Sequence, residues 1–431
     1  MNSDFVPKWL KKVRTPGTFL NNVVSLTTGT GLAQGLTLLL APLLTRLFSP
    51  EDFGSFAIYL AAVSLLGALA AARYELAIML PEKDEEALNL VALCFFLAAG
   101  GLILLTMLSV LAVKGKWLGE WSCEWIYWIP FAVFLTALRE ILGNWCARKQ
   151  EFRFLATMRL GQTNVVLAIS VAAGLAGADG KGLIAGHITG LLFVCAGLFL
   201  FFLRTAGALR GAVTRSEMRR LAAVHKDFPL VNSVHTLVDM LQSSGVPFVI
   251  GGFFGGTILG FYSIAQRVLT APLGVVGNAV SQVYYEKAAR GRRKGEKLYS
   301  STLSLLKGLS LLYFPFLAAG LAGGPDLFAF VFGAGWGEAG KLARILAPFV
   351  WLRFLVSPLS RLPLVMEEQR RAFLFGIFYN IAVILPLILA GIFGQKISEG
   401  LFCSVVVSST VLLFYLRWLL KLAAVTEDGN V

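Results

Sequence analysis

The chain has 431 residues, of which 57% are hydrophobic and 15% are charged, and its formal net charge is +13. Soluble domains carry about 25% charged residues, so this composition excludes an ordinary soluble domain and predicts an integral membrane protein. The five cysteines are scattered without a C-x-x-C spacing, which predicts neither a disulfide framework nor a zinc site. We expect no metal and no cofactor.

Apolar runs of membrane-spanning length recur along the whole chain. A spanning helix needs about 20 apolar residues, and these runs lack the alternation of barrel strands, so we predict an all-α protein. Residues 1–17 suit a short amphipathic helix on the membrane surface. The twelve predicted transmembrane helices cover residues 21–45, 53–80, 86–113, 124–147, 152–177, 182–203, 227–253, 257–284, 299–322, 338–366, 371–393 and 398–421.

Basic residues are distributed unevenly between the two sides of these helices. Most of the 38 Lys and Arg residues fall on the side that holds both termini, including the segments 204–226 and 285–297. Basic connections stay on the cytoplasmic side, so we predict that both termini are cytoplasmic. For the two long basic segments, contact with anionic lipid headgroups is favoured over nucleic-acid binding, and we expect no nucleic-acid partner.

The two halves of the chain contain similar short stretches. FSPEDFGSF at residues 48–56 resembles FGGTILGFY at 254–262, an offset of 206, and KQEFRFL at 149–155 resembles EQRRAFL at 368–374, an offset of 219. Both matches fall at the same place in a six-helix half. We therefore predict two lobes related by a parallel repeat, an N-lobe of residues 1–205 and a C-lobe of 206–431 that begins with a cytoplasmic linker at 206–226.

The sequence offers little for catalysis. His187, His225 and His235 lack metal-ligand spacing, and the chain contains no Walker motif. The glycines near residue 30 lie inside the first predicted helix, where close helix packing explains them better than phosphate binding. We therefore predict a transporter and not an enzyme.

Charged side chains inside the predicted helices are the candidate functional residues. A charge at a helix centre costs about 2.5–3.5 kcal/mol on insertion scales, and such residues normally face the bundle interior or a water-filled cavity. Asp239, Arg267 and Arg353 fall near helix midpoints. Other charges fall nearer the cytoplasmic ends of their helices, namely Arg73, Glu75, Arg139, Glu140, Arg159, Lys307 and Arg361.

The sign of these charges predicts an anionic substrate, because a guanidinium fork binds phosphate oxygens bidentately. The alternative to substrate binding is a structural role, in which Arg139 pairs with Glu140 or reaches the membrane surface. The same alternative applies to Arg73 and Glu75. Asp239 either carries a coupling proton or sodium ion or is the counter-ion of Arg267, and Glu75 is the second ion-coupling candidate. The residues assigned to a phosphate or pyrophosphate head are Arg73, Arg139, Arg267, Arg353, Arg361 and Lys307.

Residues 38–91 carry a resemblance to a known family. The turn SPEDFG at 49–54, followed by RYELAIMLP at 73–81, resembles polysaccharide flippases of the O-antigen, Wzx-like type. These belong to the superfamily that also holds the multidrug-and-toxin extruders and the lipid II flippase. The resemblance implies two six-helix lobes in a V around a central cationic cavity, and Arg73 matches the arginine of the family's RYE motif.

The resemblance also implies a function. A flippase of this type moves undecaprenyl-pyrophosphate-linked oligosaccharide from the cytoplasmic to the outer leaflet of the bacterial inner membrane by alternating access, and we expect coupling to an ion gradient. The implied partners are the lipid-linked glycan and membrane lipids, with a polysaccharide polymerase and a chain-length regulator as further candidates. We expect a monomer.

Two other functions compete with this interpretation. A cation-coupled multidrug exporter of the same superfamily would need acidic residues in its cavity, which is the opposite sign. A polysaccharide polymerase or ligase usually carries a large extracytoplasmic loop, whereas the longest one predicted here is residues 323–340.

Overall fold

The structure is a computed structural model that describes residues 19–115, 124–293 and 297–424. The predicted amphipathic segment at residues 1–17 lies outside this part of the chain. Regular secondary structure in the described ranges is entirely helical, which confirms the all-α prediction.

The first half of the chain consists of long helices joined by short 3₁₀ segments. Tyr74–Met79, Glu124–Trp128 and Gly207–Ala212 are the 3₁₀ segments. The α-helices are α1 (Phe19–Leu47), α2 (Pro50–Leu69), α3 (Asp84–Lys114), α4 (Ile129–Arg148), α5 (Phe152–Leu175), α6 (Lys181–Ala206) and α7 (Arg215–Val224).

The second half is more often interrupted. One-turn π-helices at Phe228–Asn232, Leu273–Gly277 and Ala319–Gly323 join successive α-helices, and 3₁₀ turns lie at Ala334–Trp336 and Ser357–Leu359. The α-helices are α8 (Ser233–Phe254), α9 (Gly256–Pro272), α10 (Asn278–Arg293), α11 (Tyr299–Ala318), α12 (Gly324–Phe332), α13 (Gly337–Val356), α14 (Leu362–Val365), α15 (Gln369–Ile392) and α16 (Ile397–Ala424).

The described ranges contain nine helices that are long and apolar enough to cross a membrane, or ten if the bent pair Phe228–Met240 and Ser243–Phe254 counts as one span. The chain is therefore a multi-pass membrane protein, while the total of twelve spans stays a prediction. The eighth predicted helix continues through a π-turn into α10 as far as Arg293.

One predicted helix ends earlier than its apolar composition suggests. The helix predicted at 53–80 ends at Leu69, so Arg73 and Glu75 lie in the segment that follows. The helix predicted at 338–366 matches the span Ala334–Val365, in which a 3₁₀ turn at Ser357–Leu359 precedes Arg361. The segment Tyr74–Met79 stays apolar because it packs against α3 and α4, not because it continues the span. Hydropathy reports burial and cannot by itself separate these two causes.

Contacts divide the described chain into two compact units, each with its own core. Among the described residues, the first unit combines 19–33 with 58–240, and the second combines 34–57 with those from 241 to 424. The division into lobes at residues 205 and 206 and the V-shaped arrangement stay predictions. In the first unit Tyr74, Ile78, Leu90 and Trp145 are buried in one apolar cluster.

In the second unit, two glycines of the repeated motif pack reciprocally. A Cβ on Gly54 would lie 1.9 Å from the Gly256 carbonyl oxygen, and one on Gly260 would lie 1.7 Å from the Pro50 carbonyl oxygen. Positions 50 and 54 correspond to 256 and 260 at the predicted offset of 206, and α2 and α9 begin at 50 and 256. The repeated glycines therefore let the starts of these two helices approach each other.

The last two helices of each half also repeat, at an offset of 217 and not 219. Helices α5 and α15 both have 24 residues and start at 152 and 369. Gln150 and Glu367 precede them in the left-handed conformation, with φ of 61° and 60°, and Gly177 and Gly394 follow them with φ of 76° and 64°. These matching turns confirm the internal repeat and correct its register by two residues.

Candidate functional site

The first candidate region is the turn between α2 and α3. Ala72 and Arg73 adopt left-handed backbone conformations, with φ of 50° and 63°, which costs an L-residue roughly 1–2 kcal/mol. The 3₁₀ helix Tyr74–Met79 follows, and the Tyr74 hydroxyl donates a hydrogen bond to the Ala222 carbonyl at 3.0 Å. The turn is therefore a strained segment that its surroundings hold in place.

Glu75 in this segment is a buried carboxylate with an incomplete set of partners. Its Oε1 lies 3.2 Å from Arg73 Nη1, and its side chain is only 6% exposed. Within the described ranges, Glu75 Oε2 and Arg73 Nε are the two buried side-chain atoms that have no hydrogen-bond partner. Burial raises the pKa of Glu75, the Arg73 charge opposes this shift, and the nearby Glu140 carboxylate adds to it.

A second pair completes this region. Arg139 on α4 binds Glu140 at 2.6 Å, with about a third of the arginine side chain exposed. We call the two ion pairs Arg73–Glu75 and Arg139–Glu140 of the first unit the acid–base cluster. The alternative predicted for these residues, ion pairing of Arg73 with Glu75 and of Arg139 with Glu140, is therefore present.

Arg148 is a structural residue at the end of α4. Its guanidinium donates to the carbonyls of Ile78 and Pro81, at 3.2 and 2.6 Å, and to the Asp84 carboxylate at 2.9 Å. Lys149 binds the other Asp84 oxygen. We call this set the Arg148 clasp. Its signal in the sequence is a basic pair at the end of α4 opposite the first acidic residue of α3.

In the second unit, Arg267 and Arg353 lie on α9 and α13, which pack against each other. Both residues are half-buried. We find no ion pair or hydrogen bond of either guanidinium with another residue in the described part, and neither is among its sealed polar atoms without partners. Both are therefore half-buried cations that no carboxylate of the described residues neutralises.

The remaining predicted site residues lie in exposed positions. Lys307 on α11 is exposed, and so is Arg361, which immediately precedes α14. Asp239 is 66% exposed and pairs with His235 Nδ1 at 3.1 Å, one helical turn away. This pairing satisfies Asp239 within its own helix.

No group of three or more His, Cys, Asp or Glu side chains that could hold a metal ion occurs among residues 19–115, 124–293 and 297–424. The second unit contains a pocket of about 390 Å³ beside Arg46 and Trp336. The Trp336 indole donates to the Thr45 carbonyl at 2.9 Å, and the Thr45 hydroxyl donates to the Phe332 carbonyl at 2.9 Å. These bonds seal the pocket wall and leave Arg46 exposed in it.

Comparisons with known proteins define the family. The model of a family described as "Polysaccharide biosynthesis protein" matches residues 43–341. Over 130 residues the chain is 31% identical to the Teichuronic acid biosynthesis protein TuaB of Bacillus subtilis (strain 168), a match that covers 30% of this chain and 25% of that relative. The chain is thus similar to about a quarter of the relative's length.

Solved structures define the fold. The lipid II flippase MurJ in its inward closed conformation is similar with a TM-score of 0.62 and 14% identity, over 91% of this chain and 89% of that one. A MATE transporter in complex with MaL6 has a TM-score of 0.58 and 15% identity, over 97% and 99%. An inward-facing multidrug resistance MATE transporter of the MOP superfamily has a TM-score of 0.57 and 16% identity, over 96% and 98%.

The fold is thus shared with these membrane transporters. The chain belongs to the polysaccharide biosynthesis protein family. This confirms the resemblance to polysaccharide flippases that the motifs at residues 49–54 and 73–81 carry.

Proposed function

We propose that this protein is a flippase for undecaprenyl-pyrophosphate-linked oligosaccharide. It moves this lipid from the cytoplasmic to the outer leaflet of a bacterial inner membrane by alternating access, with both termini in the cytoplasm. The observation that carries the proposal is the pair of half-buried arginines, Arg267 and Arg353, on the packed helices α9 and α13. Neither has a carboxylate partner among the described residues, so both are available to an anion.

The other cations take supporting roles in this proposal. Arg267 and Arg353 bind the pyrophosphate, whose oxygens match the guanidinium fork. Arg73 and Arg139 lie at the cytoplasmic mouth, and the exposed Lys307 and Arg361 attract the anionic head before it enters. The glycan and membrane lipids are the partners, and a polymerase and a chain-length regulator act on the exported product.

Glu75 is the proposed coupling residue. It is buried, one of its oxygens has no partner, and burial raises its pKa. A carboxyl group in this state takes up a proton more readily than an exposed one. Asp239 is the weaker candidate because it is exposed and already bridged to His235.

A cation-coupled multidrug exporter is the second candidate function. The MATE structures support it, since they share the fold over nearly the whole chain, and so does the buried carboxylate of Glu75. The sign of the unpaired charges on α9 and α13 opposes it, because a cationic drug would be repelled there.

The test is complementation of a strain that lacks this protein. The wild type is expected to restore export, and Arg353→Ala is expected to leave undecaprenyl-linked sugar accumulated in the membrane. Arg344→Ala is the matched control, since Arg344 is an exposed arginine on the same helix α13. The quantity of each variant in the membrane is measured by quantitative immunoblotting.

Three results would overturn the proposal. The first is full export by the Arg353→Ala variant. The second is a deletion strain that accumulates no lipid-linked sugar. The third is rescue of drug resistance by the wild type without a change in glycan export, which would establish the multidrug exporter instead.

A further inference from the structure

A long apolar groove lies between α15 and α16, in the second unit. Its volume is about 910 Å³, and its walls include Phe375, Phe378, Leu385, Leu389, Val407 and Phe414. Most of these side chains are well exposed, for example Phe378 at 62% and Phe414 at 62%. The groove is therefore apolar and open along the two helices.

The groove is longer than one leaflet of a bilayer. Its walls extend along α15 from Phe375 to Phe393, a distance of about 27 Å at 1.5 Å per residue. The hydrocarbon core of a bilayer is about 30 Å thick. An acyl chain of a phospholipid keeps to its own half of that thickness, so the length favours a longer hydrocarbon chain.

One end of the groove is cationic. On α15, Arg371 precedes Phe375 by one turn. On α16, Arg417 and Lys421 follow Phe414 at helical spacing. All three therefore lie on the helix faces that line the groove. All three are exposed. Arg371 also binds Glu368 at 3.2 Å, whereas the described residues provide no ion pair for Arg417 or Lys421.

Aromatic rings mark the level of this end. Phe375 lies 5.1 Å from Tyr415 and 5.5 Å from Trp418, measured between ring centroids. Tyr and Trp concentrate where hydrocarbon meets headgroups. The cations therefore lie at the headgroup level and the groove extends from there into the hydrocarbon.

The repeat shows that the fold does not demand a groove here. At the offset of 217, Cys403, Val407 and Phe414 correspond to Gly186, Gly190 and Gly197 of α6. In that hairpin a Cβ on Gly186 would lie 2.3 Å from Ser170 Oγ, and one on Gly190 would lie 2.3 Å from Val166 Cγ2. These glycines bring α5 and α6 into direct contact. At the corresponding positions of the α15–α16 pair, larger side chains line the groove.

We propose that the groove between α15 and α16 holds the polyprenyl chain of the lipid-linked substrate as it first binds, with its phosphates beside Arg417 and Lys421 before the head passes to Arg267 and Arg353. The inference rests on the proposed function, which supplies an anionic lipid with a single long hydrocarbon chain. Apolar walls longer than a leaflet and a cationic end together match an amphiphile of that kind.

The test uses the full-length protein in nanodiscs of phosphatidylethanolamine and phosphatidylglycerol. Radiolabelled undecaprenyl pyrophosphate is the probe, and photoreactive benzoylphenylalanine replaces Leu389, which lines the groove, or Leu413, which is exposed at 56% outside it. Crosslinking is expected at position 389 and not at 413. Excess unlabelled undecaprenyl pyrophosphate should abolish it, and excess phosphatidylglycerol should leave it unchanged.

Two adjacent valines provide a matched pair of variants. Val407 lines the groove and Val406 does not, although their exposures are 45% and 47%. Val407→Trp fills the groove and is expected to lower crosslinking at position 389 by about tenfold, while Val406→Trp leaves it unchanged. Arg417→Gln combined with Lys421→Gln should lower crosslinking of the pyrophosphate probe more than that of undecaprenol.

The outcomes separate this inference from the proposed function. Crosslinking that phosphatidylglycerol displaces as well as the probe does would make the groove an ordinary lipid site and overturn the inference. Absent crosslinking in a protein that restores glycan export would overturn it too and leave the proposed function intact. Specific crosslinking in a protein whose deletion causes no accumulation of lipid-linked sugar would instead refute the proposed function alone.

Discussion

The arginines singled out in the two units differ in whether a carboxylate lies beside them. In the first unit, the arginines of the acid–base cluster and of the Arg148 clasp all face carboxylates within hydrogen-bond distance. In the second unit, Arg267 and Arg353 are half-buried, and the described residues provide neither with an ion pair. The sequence alone makes these two sets look equivalent, since each places arginines in apolar runs.

The difference separates structural charge from available charge. A buried cation with a carboxylate partner is already satisfied, and removal of one partner leaves the other unpaired at a high cost. A half-buried cation without such a partner depends on water or on a bound anion. In the proposed function, the first unit therefore supplies stability and proton coupling, and the second unit binds the anionic head.

The largest effect on stability is expected for Arg148→Ala. Its side chain is 11% exposed and holds the Ile78 and Pro81 carbonyls together with Asp84, so its loss should cost roughly 3–5 kcal/mol. Denaturant unfolding in detergent micelles measures this, and Arg344→Ala on α13 is the exposed control. Equal losses for the two variants would break the distinction between the clasp and a surface arginine.

Arg73→Ala should come next, at about 2 kcal/mol, because it leaves the buried Glu75 without its cation. In the double variant Arg73→Ala with Glu75→Gln, most of this loss should disappear, since no buried charge is left unpaired. The measurement is a double-mutant cycle of unfolding free energies. Strictly additive effects would show that the two side chains do not interact.

A smaller effect concerns pH. Because burial raises the Glu75 pKa above its ordinary value of 4.5, folding disfavours the ionised form. The contribution of the neutral Glu75 carboxyl to the unfolding free energy is fully present below pH 4.5. It is lost as the pH rises through the pKa of Glu75 in the folded state. The unfolding free energy of the wild type should therefore fall with rising pH in that window more than that of Glu75→Gln. Parallel pH profiles would contradict the assignment of Glu75.

The smallest effect on stability is expected for Arg267→Gln and Arg353→Gln. Neither replacement breaks an ion pair among the described residues, so the unfolding free energy should change by less than about 1 kcal/mol or increase slightly. Thermal unfolding of the purified variants checks this. A loss comparable to that of Arg148→Ala would show that these arginines have structural partners.

The sequence predicts much of the fold because hydropathy and motif repetition act over long stretches. The all-helical class, the offset of 206 between residues 48–56 and 254–262, and the arginines on α9 and α13 are all read from residue patterns. The end of α2 at Leu69 is not predictable in this way, because left-handed residues at 72 and 73 interrupt a run whose apolar composition continues.

The hydrogen-bond partners of Arg148 were the least predictable feature of the candidate site. Arg148 binds carbonyls and a carboxylate more than 60 positions earlier in the chain, and no local pattern encodes such a distant contact. The register of the second repeat was off by two residues because similar apolar letters align at several offsets. The matching left-handed residues Gln150 and Glu367 fix the correct one.

The most direct test of the central claim is the affinity of the purified protein for undecaprenyl pyrophosphate. Equilibrium binding is measured for the wild type, for Arg353→Gln and for Arg344→Gln in nanodiscs of one lipid composition. Loss of a charge-assisted bidentate contact should weaken binding of Arg353→Gln by about tenfold or more, with Arg344→Gln unchanged. Equal affinities for all three proteins would contradict the claim that the unpaired arginines of the second unit receive the anionic head.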